Sequence, residues 1–318
     1  MKALWKTLFY FGSGLGDNNY LSIFIYHRVL DRKDPLRLST VDASEFSEQM
    51  EWIKNHFVVL PLYEAVDLIK QRRLPRRAAS ITFDDGYVDN LTVASPILKS
   101  YGMPASFYVS SKLIGSRAMW NDRIIESVRQ TSVDVLELAG KTFDIKSVLG
   151  KQVFLEFFED HYKSLPLVEA DRLLEGLISE MGELPHEPLF MNEKQIRELS
   201  SNRMEIGSHG QHHKILSAIT AAQAEVEITQ SKKDIEKIID REVKGFAYPN
   251  GKAPIDFSKA HGAMVTNAGY QYALSTNYGC SQGRDELFNL KRFTPWKPTK
   301  AAFLSSMFLN YWYYQERV

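Results

Sequence analysis

The chain has 318 residues, 44% of them hydrophobic, which is enough to bury a large core and argues against a disordered polypeptide. Lysine and arginine together number 39, as do aspartate and glutamate, so no general electrostatic attraction to nucleic acid is indicated. The single cysteine, Cys280, excludes an intrachain disulfide and any zinc site built from several cysteines. Histidine and carboxylate ligands for a metal ion remain open.

The N-terminus begins with a basic residue and a short apolar patch, which Lys6 interrupts, and no clear signal-peptide cleavage site follows it. We therefore predict a cytoplasmic chain, and no stretch of sequence is apolar for long enough to span a bilayer. The N-terminal patch and the aromatic run from Phe303 to Tyr314 predict peripheral contact with the inner membrane. A terminal helix packed on the core is the alternative that we favour.

Strand and helix patterns alternate along most of the chain. In chain order, the predicted strands are 21–26, 78–83, 105–109, 204–207, 244–248 and 272–275. The predicted helices between them are 44–57, 62–71, 90–101, 193–200 and 220–240. This alternation predicts an α/β fold with parallel strands, whose C-terminal ends carry the functional groups.

The pattern changes between residues 116 and 187. Here the sequence has long amphipathic helical runs at 121–130, 153–162 and 168–181. We predict one domain over residues 1–318, with a helical lobe inserted at about 116–187.

The first informative motif is Ile81-Thr82-Phe83-Asp84-Asp85-Gly86-Tyr87, where a buried strand runs into two adjacent acids and a glycine. Two neighbouring carboxylates repel each other unless a cation lies between them or one of them binds a proton. An Asp-Asp-Gly sequence by itself is most often only a turn.

The second motif follows the predicted strand at 204–207 and contains three of the eight histidines. His209 and His213 are four residues apart, a spacing that places both imidazoles on one side of a helical turn, where they can share a metal ion. One carboxylate from elsewhere would complete a site with two histidines and one acid, which leaves positions for water and substrate. A solvated helix face is the alternative for this pair taken alone.

The third motif is Phe246-Ala247-Tyr248-Pro249-Asn250-Gly251, where a predicted strand breaks into Pro-Asn-Gly. Such a turn exposes backbone N–H groups that can bind an oxyanion, or it is simply a turn.

The three motifs, in this order, resemble those of the polysaccharide deacetylase family, carbohydrate esterase family 4, with its chitooligosaccharide deacetylase homology domain. Further matches are Tyr26-His27-Arg28-Val29, Trp120-Asn121-Asp122-Arg123 and Leu290-Lys291-Arg292. The resemblance covers nearly the whole chain and is weakest between 116 and 187. It therefore implies a single catalytic domain.

This resemblance implies a distorted (β/α) barrel of about seven parallel strands, with a divalent metal ion, most often zinc, at the C-terminal ends of the strands. By the same resemblance Asp85, His209 and His213 are the metal ligands, and Asp84 is the general base. Tyr248, Asn250 and Leu290 are then the residues that bind substrate, with the backbone N–H of Asn250 donating to the oxyanion.

The sequence departs from the family pattern at two places. Ala247 stands where better-known members have an arginine that orients the base, and we expect Arg292 to replace that arginine. The late histidine that supplies the general acid is also missing, since Leu290-Lys291 leads to Arg292. His27, at the end of the first strand, is our candidate for the acid, and a structural histidine bonded to backbone is the alternative.

The function implied is removal of the N-acetyl group from an amino sugar of a bacterial surface polysaccharide, glycolipid or precursor, with release of acetate. The expected partner is an N-acetylated glycan or a lipid-linked sugar, and not nucleic acid. Two alternatives stay open. One is a metal-dependent hydrolase of a small or cyclic amide, and the other is a sugar-binding homologue with impaired catalysis.

Overall fold

The computed structural model describes residues 2–14, 19–182, 188–202, 204–282, 287–295, 297 and 299–311. The chain divides into two compact units. The first comprises Met1–Arg32, Thr40–Gly115 and Phe190–Val318, and the second comprises Lys33–Ser39 and Ser116–Leu189.

The strands are β1 (Leu21–Tyr26), β2 (Val29–Leu30), β3 (Val41–Asp42), β4 (Val58–Val59), β5 (Ala78–Phe83), β6 (Ser106–Val109), β7 (Val135–Leu138), β8 (Lys141–Asp144), β9 (Glu205–Ser208), β10 (Gly245–Ala247), β11 (Tyr272–Tyr278) and β12 (Leu290–Arg292). The α-helices are α1 (Lys2–Gly12), α2 (Ala43–His56), α3 (Leu62–Lys70), α4 (Ser95–Tyr101), α5 (Trp120–Gln130), α6 (Val148–Ser164), α7 (Leu167–Met181), α8 (Glu193–Ser201), α9 (Ala221–Ile239), α10 (Lys259–Asn267) and α11 (Lys300–Asn310).

The first unit is built on a parallel sheet. Within the described residues, seven strands follow one another in the order β1-β5-β6-β9-β10-β11-β12, and β4 pairs with β5. The sheet nearly closes, because Phe293 after β12 donates its N–H to the Ile23 carbonyl at 2.7 Å and accepts the Ile25 N–H at 3.1 Å. Every residue of β1, β5 and β6 is buried, as expected for a parallel sheet covered by helices. The predicted distorted (β/α) barrel is confirmed.

The predicted strands and helices of the barrel match the observed ones to within a few residues, apart from the helix at 90–101. That helix opens with a π-helical turn at Asn90–Ala94, and it ends at Gly102, which has a φ of 67°. Arg292 is the last residue of β12, a strand that the sequence patterns did not predict. The sequence patterns did not predict α10 or the short parallel pair β2–β3.

Two glycines make room for aromatic side chains in the sheet. A Cβ atom on Gly207 would lie 2.3 Å from the Tyr108 ring, and one on Gly245 would lie 2.6 Å from the Tyr272 ring. The two tyrosine hydroxyls are 3.1 Å apart, and that of Tyr272 donates to Glu205 at 2.5 Å. Because Glu205 begins β9, this polar group lies at the N-terminal ends of the strands, away from the predicted site.

The second unit contains α5, α6 and α7, which correspond to the three predicted helical runs. It also contains the antiparallel hairpin β7–β8, which the helical periodicity did not predict. The segment Lys33–Ser39 belongs to this unit through Arg37, whose Nη2 lies 2.8 Å from a carboxylate oxygen of the fully buried Asp122 in α5. The assignment of both units to one catalytic domain stays a prediction.

The C-terminal helix α11 packs on the first unit. Phe303 and Met307 are buried in its core, together with Phe9 of α1. Residues 312–314 of the predicted aromatic run lie outside the described residues. Across the described part of the chain, no helix combines the length and apolar character that crossing a bilayer requires.

Candidate metal centre and active site

The parallel sheet brings the main polar residues of the motifs to one edge. Asp84 and Asp85 follow β5, His209 follows β9, His27 follows β1, and Arg292 is the last residue of β12. Because neighbouring parallel strands end at the same edge, residues up to 265 positions apart in the chain come together here.

Asp85, His209 and His213 form a group that can hold a metal ion. One ligand atom from each lies within 4.8 Å of the other two. Asp85 Oδ1 is 3.5 Å from His209 Nε2 and 3.4 Å from His213 Nε2. Ligand bonds of about 2.0–2.2 Å in a tetrahedral zinc site place neighbouring donor atoms roughly 3.3 Å apart, so the spacing fits such an ion. No other such group occurs among the residues that the structure describes.

The protonation and orientation of the histidines also suit metal binding. His209 Nδ1 is 2.7 Å from the Ala247 carbonyl oxygen, so the ring donates its Nδ1 proton there and leaves Nε2 available. Burial lowers the pKa of His209 to about 4, against the opposing charge of Asp84. Burial and the neighbouring His27 lower the pKa of His213 to about 4. Both rings are therefore neutral at pH 7, as ligands must be.

The expectation that the histidines occupy a helical turn is wrong. Residues 209–215 form a loop, and two of them adopt left-handed backbone angles, with φ of 76° at Gly210 and 57° at His213. Asp85 is also left-handed, with a φ of 74°. Two of the three candidate ligands thus have backbone conformations that cost free energy, a feature that is common at functional sites.

Glu227 of α9 holds this loop in place, a role that was not predicted. Its Oε2 accepts the backbone N–H groups of Gln211 and His212, each at 2.9 Å. Its Oε1 lies 2.7 Å from His212 Nδ1, and Glu227 is only 5% exposed. The carboxylate therefore fixes the backbone between the two candidate histidine ligands, while His212 itself does not join the metal group.

A second face of the same loop pairs with the segment that follows β6. Ser111 and Lys112 donate their backbone N–H groups to the carbonyls of Gly210 and Gln211, at 3.0 and 2.9 Å. Asp234 of α9 accepts hydrogen bonds from the Ser111 hydroxyl at 2.9 Å and the Gln211 amide at 3.3 Å. Backbone pairing and two acids of α9 therefore determine the path of the loop.

Asp84 is bound by Arg292. The guanidinium donates two hydrogen bonds, at 2.8 Å to Oδ1 and 2.7 Å to Oδ2, and both side chains are almost fully buried. Arg292 Nε also donates to the Ser275 carbonyl at 2.8 Å. Burial opposes ionisation of Asp84, but the charge and hydrogen bonds of Arg292, together with the neighbouring His209 and His27, outweigh it and hold the pKa of Asp84 well below its usual value. Asp84 is therefore an oriented carboxylate, and its Oδ2 lies 3.9 Å from His209 Nε2.

His27 is exposed at the same edge, close enough to Asp84 and His213 to affect the pKa of each. Its backbone is held from the segment after the Asp-Asp-Gly motif, because Asn90 donates to the His27 carbonyl at 2.8 Å. Asp89 accepts a hydrogen bond from Arg28 Nε at 2.7 Å. The structural alternative for the His27 ring, a bond to backbone, has no support among the described contacts.

The predicted substrate-binding residues divide into two groups. Asn250 is exposed on a left-handed turn with a φ of 56°, and its carbonyl accepts the Thr276 hydroxyl at 2.6 Å. Tyr248 is fully buried, stacks on Phe257 and donates its hydroxyl to a backbone carbonyl. Leu290 is fully buried in the core. The side chains of Tyr248 and Leu290 therefore do not reach the surface of the site, because both fill the packed interior.

The family comparison agrees with this geometry. The sequence matches the family model described as polysaccharide deacetylase over residues 71–273, which is more than half of the chain.

The chain belongs to the polysaccharide deacetylase family.

Known members of the polysaccharide deacetylase family are similar to parts of this chain. A Bacillus subtilis (strain 168) protein assigned to this family, YxkH, is 34% identical over 131 residues, which is 38% of this chain and 46% of that protein. The poly-β-1,6-N-acetyl-D-glucosamine N-deacetylase of Staphylococcus aureus (strain N315) is 31% identical over 104 residues, which is 32% of this chain and 35% of that enzyme. The alignments thus span less than half of these curated relatives.

Solved structures extend the similarity of fold over most of the chain. The Streptococcus pyogenes deacetylase PplD, in complex with acetate, has a TM-score of 0.59 at 18% identity and covers 87% of this chain and 92% of its own. IcaB from Ammonifex degensii has a TM-score of 0.57 at 15% identity, covering 90% and 97% respectively. At these identities the comparison establishes the shared polysaccharide deacetylase fold.

Proposed function

We propose that this protein is a metal-dependent hydrolase that removes the N-acetyl group from an amino sugar of a bacterial surface glycan and releases acetate. One observation carries the proposal. A buried carboxylate, Asp84, is held by Arg292 directly beside a group of one aspartate and two histidines that can bind a divalent cation. This arrangement pairs a proton acceptor with a Lewis-acid site, which is what hydrolysis of an amide requires.

Asp85, His209 and His213 would hold the cation, and zinc suits two imidazoles and one carboxylate. When bound, the cation supplies Lewis acidity to the acetamide carbonyl and to the attacking water.

Asp84 accepts the proton of the attacking water at a carboxylate oxygen. Arg292 keeps both oxygens of Asp84 in a fixed orientation through its paired hydrogen bonds. Because the Asp84 carboxylate is already held in this orientation, it has no rotational freedom to lose when the water binds. Arg292 thus performs the task of the arginine that better-known family members have at the position of Ala247.

Asn250 and His27, at the exposed side of the site, bind the oxyanion and supply the proton for the leaving amine. The backbone N–H of Asn250 donates to the oxygen that becomes negative when water adds to the carbonyl carbon. His27 gives a proton to the sugar nitrogen as the carbon–nitrogen bond breaks, so that a free amine and acetate leave. His27 suits this step because it is exposed and close to Asp84 and His213.

The substrate class follows from the relatives. A poly-β-1,6-N-acetyl-D-glucosamine N-deacetylase is 31% identical to one third of this chain, which makes β-linked N-acetylglucosamine oligomers the first substrates to test. Lipid-linked N-acetylhexosamines form the second set. The alternative of a sugar-binding homologue with impaired catalysis rests partly on the arginine that is absent at position 247. Arg292 weakens that alternative, because it supplies a guanidinium at the Asp84 carboxylate.

The test is acetate release from N-acetylhexosamine oligomers, lipid-linked sugars and small cyclic amides, with metal-stripped protein before and after addition of Zn²⁺. Release from the sugars only after Zn²⁺ is added supports the proposal. Asp84→Asn should lose this activity, whereas Asp160→Asn, an exposed change of the same chemistry in the second unit, should release acetate at the wild-type rate. Hydrolysis of cyclic amides alone, or tight sugar binding without turnover, would refute the deacetylase assignment.

A further inference from the structure

Two neighbouring helices of the first unit expose large apolar side chains. Leu4 and Phe11 of α1 are 61% and 66% exposed, and Leu309 of α11 is 64% exposed. The helices contact each other where Gly12 meets Phe308, since a Cβ atom on Gly12 would lie 3.1 Å from that ring. Exposed apolar groups that lie together in this way commonly mark an interaction site.

The opposite face of α1 is fixed in the core. Phe9 is fully buried, and its ring centroid lies 4.8 Å from that of Phe57 and 6.1 Å from that of Tyr311. Trp5 packs against the same cluster. Because one face of α1 is anchored in this way, its exposed residues are presented on a defined surface.

A basic segment lies beside these apolar groups. Residues 71–77 read Gln-Arg-Arg-Leu-Pro-Arg-Arg, and Arg72 and Arg73 are exposed. Arg76 joins this segment to α1, because it donates to the Tyr10 carbonyl at 3.2 Å and its guanidinium carbon lies 4.1 Å from the centre of the Tyr10 ring.

The charge of this region differs from that of the chain as a whole. Residues 2–14 and 71–77 contain only basic charges and no aspartate or glutamate, although the whole chain has 39 residues of each sign. Lys6 of α1 is also exposed. We call this region the α1 surface, and it consists of Leu4, Lys6, Tyr10, Phe11, Arg72, Arg73, Arg76 and Leu309.

We propose that the α1 surface docks on an anionic lipid bilayer. Apolar side chains can enter the boundary between head groups and acyl chains while the lysine and arginines contact lipid phosphates. Residues 2–14 and 71–77 contain no acid, which favours an anionic membrane, since an acidic group in these segments would be repelled by it.

The α1 surface lies at the other end of β5 from the candidate metal centre. Arg76 precedes β5 and Asp84 follows it, and six strand residues at about 3.3 Å each separate the two ends by roughly 20 Å. Docking therefore leaves the metal centre open to a glycan. Membrane binding does not depend on the proposed deacetylase activity, so the two can fail separately.

The test is co-sedimentation of the full chain with phosphatidylcholine vesicles that contain or lack phosphatidylglycerol. We expect binding only to the anionic vesicles, and a loss of about fivefold in partitioning for each arginine removed in Arg72→Gln/Arg73→Gln. The matched control, Lys233→Gln/Lys237→Gln, removes two exposed charges from α9 and should bind like wild type.

A second pair of variants tests the apolar part. Leu4→Ser/Phe11→Ser should weaken sedimentation at least tenfold, whereas Leu149→Ser/Val168→Ser, which removes exposed apolar groups from the second unit, should not. Equal binding to both kinds of vesicle, or none to either, would overturn the proposal. So would a dimer in light scattering that Phe11→Ser dissociates, because a second copy of the chain would then cover the surface.

Discussion

Replacing Arg292 by methionine should destabilise the protein strongly. Both side chains of the Arg292–Asp84 pair are almost fully buried, and two hydrogen bonds of 2.8 and 2.7 Å join them. Arg292→Met keeps the apolar volume but leaves the Asp84 charge buried without its partner. Breaking a buried ion pair from one side costs about 3–5 kcal/mol in the free energy of unfolding.

The double variant Asp84→Asn/Arg292→Met measures the interaction between the two side chains separately from their contacts with the rest of the protein. Asp84→Asn alone leaves the Arg292 charge buried, so it should also cost stability. Asp84→Asn/Arg292→Met leaves neither charge, and its cost should be smaller than the sum of the two single costs by about 2–3 kcal/mol.

Urea unfolding of metal-stripped protein, followed by circular dichroism, measures these free energies without a contribution from metal binding. Arg172→Met on the exposed side of α7 is the matched control and should change the free energy of unfolding by less than about 0.5 kcal/mol. A cost below about 1 kcal/mol for Arg292→Met would refute the reasoning, because that is the value of an exposed ion pair.

Three further outcomes follow from the structure. Glu227→Ala should weaken Zn²⁺ binding about 10- to 100-fold in calorimetry. Glu227→Gln should weaken it less, since an amide oxygen can still accept one backbone N–H. Equal Zn²⁺ affinities of wild type and Glu227→Ala would contradict the role of Glu227 in positioning the loop. Gly207→Ala should lower the free energy of unfolding by about 1–3 kcal/mol, because its Cβ would meet the Tyr108 ring. Burial raises the pKa of Glu205 above 4.5, so ionised Glu205 disfavours the folded state. The stability of wild type relative to Glu205→Gln should therefore fall as pH rises from 4.5 through the raised pKa, and a constant difference in urea unfolding would contradict this.

The barrel was predictable because its strands carry their signal locally. Apolar and β-branched runs such as 78–83 end at glycine or at polar residues, and the alternation with helices then specifies parallel pairing. The histidine loop was not predictable in the same way. A spacing of four residues between two histidines fits a helix as well as a loop. The loop conformation depends on hydrogen bonds to Glu227, which follows His213 by 14 positions and so lies outside the local pattern.

A signal for Glu227 was nevertheless present in the sequence. In α9 the buried positions are Ala224, Glu227, Ile228, Ser231 and Ile235, so Glu227 is an acid on the core-facing stripe of an amphipathic helix. Such an acid requires hydrogen-bond donors, and the nearest polar loop supplies them. Arg292 was predictable as the partner of Asp84 only because the family's arginine is absent at position 247. The burial of Tyr248 was not predictable, because it depends on stacking with Phe257, which no local sequence pattern reveals.

The most direct test of the proposed mechanism compares Asp84→Asn with wild type in two measurements on the same samples. Calorimetric Zn²⁺ binding should stay within about tenfold of wild type, because Asp85, His209 and His213 are the proposed ligands. Acetate release by the zinc-loaded variant should fall at least about 100-fold, since the proton acceptor is lost. Unchanged acetate release would contradict the role of Asp84, and loss of zinc together with activity would show that Asp84 is itself a ligand.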